Sequence, residues 1–195
     1  MASADVLSRI LPDCYLYISH LDVPEEAKYW QLPGYPDKVT DQMNSSFQEN
    51  TALGRSAPVF TFSHSGPRTI QINISFHRDM FEEMPTNVPV QPGEDKAESF
   101  IHALQAIAVP KYNLANKAIE PPLVAIRLGR EVFIKGIVSG GVSVTYGKPI
   151  LSNEKYATMD ISFTVSEVDP YDATTVYKNG SFRGLTATLR SGLHY

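Results

Sequence analysis

Disulfides are excluded at once, because Cys14 is the only cysteine in the chain. Its place in the apolar run "CYLYISHL" marks it as a small buried hydrophobe and not a nucleophile. Long hydrophobic runs are also missing. No stretch approaches the ~20 apolar residues that a membrane-spanning helix needs. The N-terminal "MASADVLSRILPD" has no extended apolar segment of the signal-peptide kind. We therefore expect no membrane anchor and synthesis in a cytoplasm. Positive charge is scarce. Lys and Arg total 17 against 21 acids, a net of −4, which argues against a dedicated nucleic-acid binder.

Signatures of chemistry are equally thin. None of the five histidines, His20, His64, His77, His102 and His194, stands three to five residues from another histidine or from Cys14. His102 follows Glu98 by four residues and reads as a helix-surface pair. No Gly-x-Ser-x-Gly occurs, which removes the commonest serine-hydrolase signature. Gly140-Gly141 is not followed by Lys-Ser/Thr, so it is no phosphate-binding loop. The paired acids Glu25-Glu26 and Glu82-Glu83 lie in loop-like sequence, where solvation is their ordinary role. The expectation is no enzymatic activity, no cofactor and no metal.

What the chain does have is alternation. In "RTIQINISFHRD", Ile70, Ile72, Ile74 and Phe76 fall on every second residue, with Thr69, Gln71, Asn73, Ser75 and His77 between them. A strand sends successive side chains to opposite faces, so one face is core and the other polar. That polar face carries no Lys or Glu. It can be wet, pressed against another protein, or line a narrow channel. "ATMDISFTVSEVD" repeats the pattern, with Met159, Ile161, Phe163 and Val165 inward. "PVFTFSH" reads as a further strand, and Ser65-Gly66-Pro67 as the turn of an antiparallel hairpin over residues 58–77. The polar segment through Gly54 reads as a loop or extended arm. Gly136, Gly140 and Gly141 predict bulges, tight bends or a short hairpin.

One helix is predicted, in "EDKAESFIHALQAIAVP". Asp95 stands three residues before Glu98 in a capping-box arrangement. Ala97, Phe100, Ile101, Leu104 and Ala108 make an apolar stripe at helical spacing. The fold class expected is mainly β: antiparallel strands closed into a barrel or sandwich, with this amphipathic helix packed on it. Tyr29, Trp30 and Tyr35 fall in the proline-rich "DVPEEAKYWQLPGYPDK", read as a loop whose aromatics are a folded-back cap or a contact surface. Residues 1–50 carry eight acids and three bases. Residues 171–195 carry one acid and three bases, Lys178, Arg183 and Arg190. Complementary ends suit a head-to-tail assembly.

Residues 121–169, "PPLVAIRLGREVFIKGIVSGGVSVTYGKPILSNEKYATMDISFTVSEVD", resemble the second half of the contractile-tail tube family. The marks are Pro121, Pro122, Gly129, Gly136, Tyr146, Gly147, Pro149, Phe163 and Glu167. The resemblance extends loosely over residues 35–170. It implies a tail-tube-like domain at 1–170 with an N-terminal extension, and a C-terminal docking extension at 171–195. It further implies a hexameric ring that initiates or connects the inner tail tube at the baseplate hub of a contractile phage tail. Its partners would be adjacent tail-tube, hub or baseplate proteins, in a virion assembled in the host cytoplasm. DNA would pass through the bore without specific binding. Gln71, Asn73, Ser75 and His77 are then candidates for the lumen or a ring contact, and Tyr29, Trp30, Arg183 and Arg190 for interfaces. Two other readings stand beside this one. One is a baseplate wedge or hub adaptor that contacts the tube from outside. The other is a carbohydrate-binding β-sandwich that uses Tyr29, Trp30 and Tyr35 as a stacking platform.

Overall fold

The computed structural model describes residues 14–19, 28–32, 34–51, 54, 57–83, 89–113, 118–120, 122–129, 132–168, 173–174 and 176–177. The chain is mainly β. Among the described residues eleven strands run in order: β1 (Cys14–Ile18), β2 (Tyr29–Gln31), β3 (Lys38–Gln42), β4 (Ser45–Asn50), β5 (Val59–Ser65), β6 (Thr69–His77), β7 (Lys111–Asn113), β8 (Ala118–Glu120), β9 (Leu123–Leu128), β10 (Val132–Ile150) and β11 (Tyr156–Glu167). Two helices, α1 (Arg78–Glu83) and α2 (Lys96–Ala106), lie between β6 and β7. Seven strands form one antiparallel sheet in the order β2-β1-β9-β10-β11-β6-β3. Among the described residues β2 and β3 end this sheet and do not pair with each other, so of the expected barrel or sandwich no closed barrel is seen there.

Alternation decides which face of the sheet is core. Ile70, Ile72 and Ile74 on β6 stand opposite Val165, Phe163 and Ile161 on β11, and all six are buried. The same face continues through Leu16, Ile126 and Ile134 on the strands beyond. The helix α2 closes over it with Ala97, Phe100, Ile101 and Leu104. Ala108, the last residue of the predicted stripe, falls past the helix end and is exposed. The capping box forms as the spacing predicts. The Asp95 carboxylate accepts from the Glu98 N–H at 2.8 Å, and the Glu98 carboxylate accepts from the Asp95 N–H at 3.2 Å.

Several expectations fail for identifiable reasons. The strand β5 does not pair with β6. It pairs with β4, from Asn50↔Val59 to Ser45↔Ser65, and β6 instead sits between β11 and β3. The Ser65-Gly66-Pro67 turn therefore joins two separate sheets. Tyr29 and Trp30 lie in a strand of three residues, not in a loop. Trp30 is 1% exposed and packs on Phe100 with ring centroids 5.9 Å apart. Gly140 and Gly141, at φ +81° and +84°, make a bulge inside β10, not a hairpin. The segment after α2 carries the β7–β8 hairpin, and the connection after β6 opens with α1.

Candidate functional site: a polar sheet face and an aromatic arm

On β3, β6, β11 and the second half of β10, the face opposite the core carries an almost uncharged polar surface. In register, Thr69, Gln71, Asn73, Ser75 and His77 stand opposite Ser166, Thr164, Ser162, Asp160 and Thr158. On the outer side of β6, Gln42, Thr40 and Lys38 continue the rows from Thr69, Gln71 and Asn73. Beyond β11, Ser143 and Thr145 stand opposite Ser162 and Asp160. Across these rows Lys38 and Asp160 are the fixed charges among the described residues. Gln71 and Ser75 are exposed, and Asn73 and His77 are half-buried. Hydroxyls bond to one another within the surface, Ser166 Oγ donating to Ser139 Oγ at 2.9 Å. The strand β6 showed its own part of this surface in sequence. The parts on β3, β10 and β11 become one surface only through the strand order.

The second feature is the β4–β5 arm. Pairing puts Phe47 opposite Phe62 and Glu49 opposite Phe60, so the three phenylalanines share one face. Gln48, Thr61, Asn50 and Val59 take the other face, where the Asn50 amide reaches the Thr61 hydroxyl at 3.3 Å. Phe47, Phe60 and Phe62 are 56%, 62% and 55% exposed. Phe47 and Phe62 meet edge-to-face with ring centroids 5.6 Å apart. Every residue of both strands is exposed. A two-stranded hairpin with an apolar face is at best marginal by itself in water. Sequence reasoning saw an arm before Gly54 but placed its second strand in the core sheet.

Buried charge serves the fold. Arg68, 3% exposed, donates from Nε to Asp41 Oδ1 at 2.8 Å and from Nη1 to the Phe133 carbonyl at 3.2 Å. Glu167 lies 3.9 Å from the same guanidinium. Arg78 reaches Asp95 and the Tyr156 carbonyl, and Lys155 Nζ donates to Asp95 at 3.0 Å and to Glu98 at 2.6 Å. Burial raises the Asp95 and Glu98 carboxyls, but hydrogen bonds from the capping N–H groups and from Lys155, and for Asp95 also the Arg78 charge, more than offset it. Both carboxyls end below the usual range. The Lys155 ammonium is raised by the same bonds to Glu98 and Asp95. Burial pushes the Cys14 thiol up to about 11, so it stays protonated at neutral pH.

The remaining candidates divide. Tyr29 contacts Tyr15 and Tyr17 with ring centroids 5.9 and 4.8 Å away, and Trp30 is core. Both are corrected from surface contacts to packing residues. Tyr35 alone of the three aromatics is exposed, which removes the stacking platform. Arg183 and Arg190 lie outside the described residues. His102 Nδ1 is 2.8 Å from Glu94, the carboxylate that also accepts from Ser99 Oγ at 2.9 Å. Ser99 is 3% exposed, so this chain of bonds holds the start of α2 and offers no accessible nucleophile. No group of three or more His, Cys, Asp or Glu suited to a metal occurs among the described residues, and none of the described helices is long and apolar enough to cross a membrane.

No protein-family model matches the chain, and no curated protein matches it. Among solved structures it is similar to a chain from the tail of an empty GTA particle, obtained by helical refinement with C6 symmetry. The identity is 12% and the TM-score 0.39, over 83% of this chain and 96% of that one.

Proposed function

We propose that this chain is a structural subunit of a contractile phage tail and not an enzyme. In this reading it forms a hexameric ring that initiates or connects the inner tail tube at the baseplate hub, in contact with adjacent tube, hub or baseplate proteins. The ring leaves a bore through which DNA passes unbound. The observation that carries the reading is the β4–β5 arm. Its phenylalanine face is solvated in the single chain, and burying a phenylalanine fully is worth about 1.5–3 kcal/mol. A surface of that kind belongs in an interface. The outer edge of β3, which no described strand covers, suits continuation from one subunit to the next. The hydroxyl and amide face suits a bore, because a basic lining would retain phosphates. The hexameric count and the baseplate position come from the sequence resemblance over residues 121–169.

The test is the double substitution Phe47→Ser/Phe62→Ser. The arm supplies nothing to the core, so the thermal melt should match the wild type. Incorporation into particles should fall by on the order of a hundredfold or more, from the lost burial of two rings. Wild-type incorporation of a folded double variant would overturn the reading.

A further inference from the structure

The strand β6 outruns its neighbour. Pairing with β3 ends at Lys38↔Asn73, whereas β6 continues to His77. The reason is in the sequence: Pro36, which the register would bring opposite Ser75, has no N–H to give a ladder. The Asn73 carbonyl turns toward β3 and accepts from the Asp37 N–H at 3.1 Å, while the Arg68 carbonyl accepts from Glu167 on β11 at 2.9 Å. Odd-numbered residues of β6 thus present their backbone to the β3 side. Ser75 does so where β3 has already ended. A groove of about 560 Å³ lies there, lined by Ser75, Phe76, His77, Met80, Phe81, Thr158 and Asp160 together with Gly34 from the segment before β3. It wraps the sheet edge, with an apolar floor and an acidic rim that Asp79 extends beside His77, 3.7 Å away.

The same chain carries a segment of matching chemistry. Residues 178–195 hold Lys178, Arg183 and Arg190 and no acid, and Leu185, Ala187 and Leu189 alternate with Thr186 and Thr188. That is a short strand pattern flanked by cations. The chain leaves β11 at Glu167, by the Thr69 end of β6, and the groove is at the His77 end. Eight residues of strand separate the two ends, about 27 Å. Head-to-tail copies along the strand direction would bring the tail of one to the groove of the next.

We propose that the edge of β6 at Ser75–His77, which no described strand covers, takes residues 183–190 of a neighbouring copy as an added strand, Arg183 and Arg190 meeting the Asp79–Asp160 rim. This rests on the assembly reading above. The test uses full-length chains carrying either Ser75→Cys or Ala187→Cys, mixed and treated with a short bismaleimide. Buried Cys14 should leave the wild type unlinked. A covalent dimer is expected in the mixture and with neither chain alone. It should fall at least about fivefold with Arg183→Glu/Arg190→Glu or in about 0.5 M salt. Thr158→Cys, on the same groove, replaces Ser75→Cys if that variant does not fold. No dimer while the wild type still assembles through Phe47 and Phe62 overturns this proposal and leaves the assembly reading standing. A chain carrying both cysteines that links only within itself overturns it too, because its own tail then fills the groove. A wild type that does not assemble removes both.

Discussion

Gly136 shows how much one missing methyl can decide. It lies where β10 pairs with β9 on one side and β11 on the other, opposite Val124 and Glu167. A Cβ there would sit 2.0 Å from the Ser166 carbonyl oxygen, a backbone atom that cannot swing aside. Gly136→Ala should therefore destabilise by roughly 1–3 kcal/mol in a denaturant titration, the usual cost of overpacking. An unchanged midpoint would mean the ladder yields there. The ion cluster makes a pH prediction. Folded Asp95 and Glu98 titrate below their ordinary values of 3.8 and 4.5. Their stabilisation is thus complete above the ordinary range and is lost as pH falls through the folded values. Thermal melts should drop more steeply with acid for the wild type than for Lys155→Met, which lacks one of the cations holding the carboxyls down. Parallel slopes would show that Lys155 contributes nothing.

Elements differ in how plainly their residues announced them. The strands β6 and β11 were legible because one face of each is buried, which forces strict alternation. Asp95 and Glu98 announced the start of α2 by spacing alone. The strand β5 was misplaced because Phe60 and Phe62 alternate as core residues would. Periodicity shows that a face is apolar, not whether the chain itself covers it. Trp30 was hidden by Pro24, Pro33 and Pro36, which made a three-residue strand look like loop. Barrel closure was overestimated because strand pattern carries no information on whether β2 and β3 meet. The packing of α2 on the sheet can be tested directly. Leu104 is fully buried, and Leu104→Ala should cost about 2–5 kcal/mol. A loss well below 1 kcal/mol by chemical denaturation would count against this contact.

Across β3, β6, β11 and the second half of β10 the molecule sets hydroxyls and amides opposite its core, a face that can be wet, line a channel or press on a neighbour. Asn73 lies in the middle of it, between Lys38 and Ser162. In a ring, Asn73→Lys would repeat a new cation once per subunit around the bore, and each would add phosphate contact that weakens with salt. The substitution also sets two lysines opposite each other across β3 and β6, a repulsion of about 0.2–1 kcal/mol that could lower stability by itself. Ser162→Lys separates the two effects. Its cross-strand neighbours are Asn73 and Ser143, both uncharged. Ser162 is half-buried, and Ser162→Lys should fold at a cost of at most about 1 kcal/mol, its ammonium reaching solvent along the flexible stem. Particles carrying it should assemble yet deliver DNA more slowly, and the delay should shrink as ionic strength rises. Ser162→Asn, polar and neutral, should deliver normally. If Ser162→Lys particles deliver at the wild-type rate at low salt, the hydroxyl face does not line the path of DNA. If they do not assemble, the face is pressed against a neighbour instead, another role its lack of charge permits.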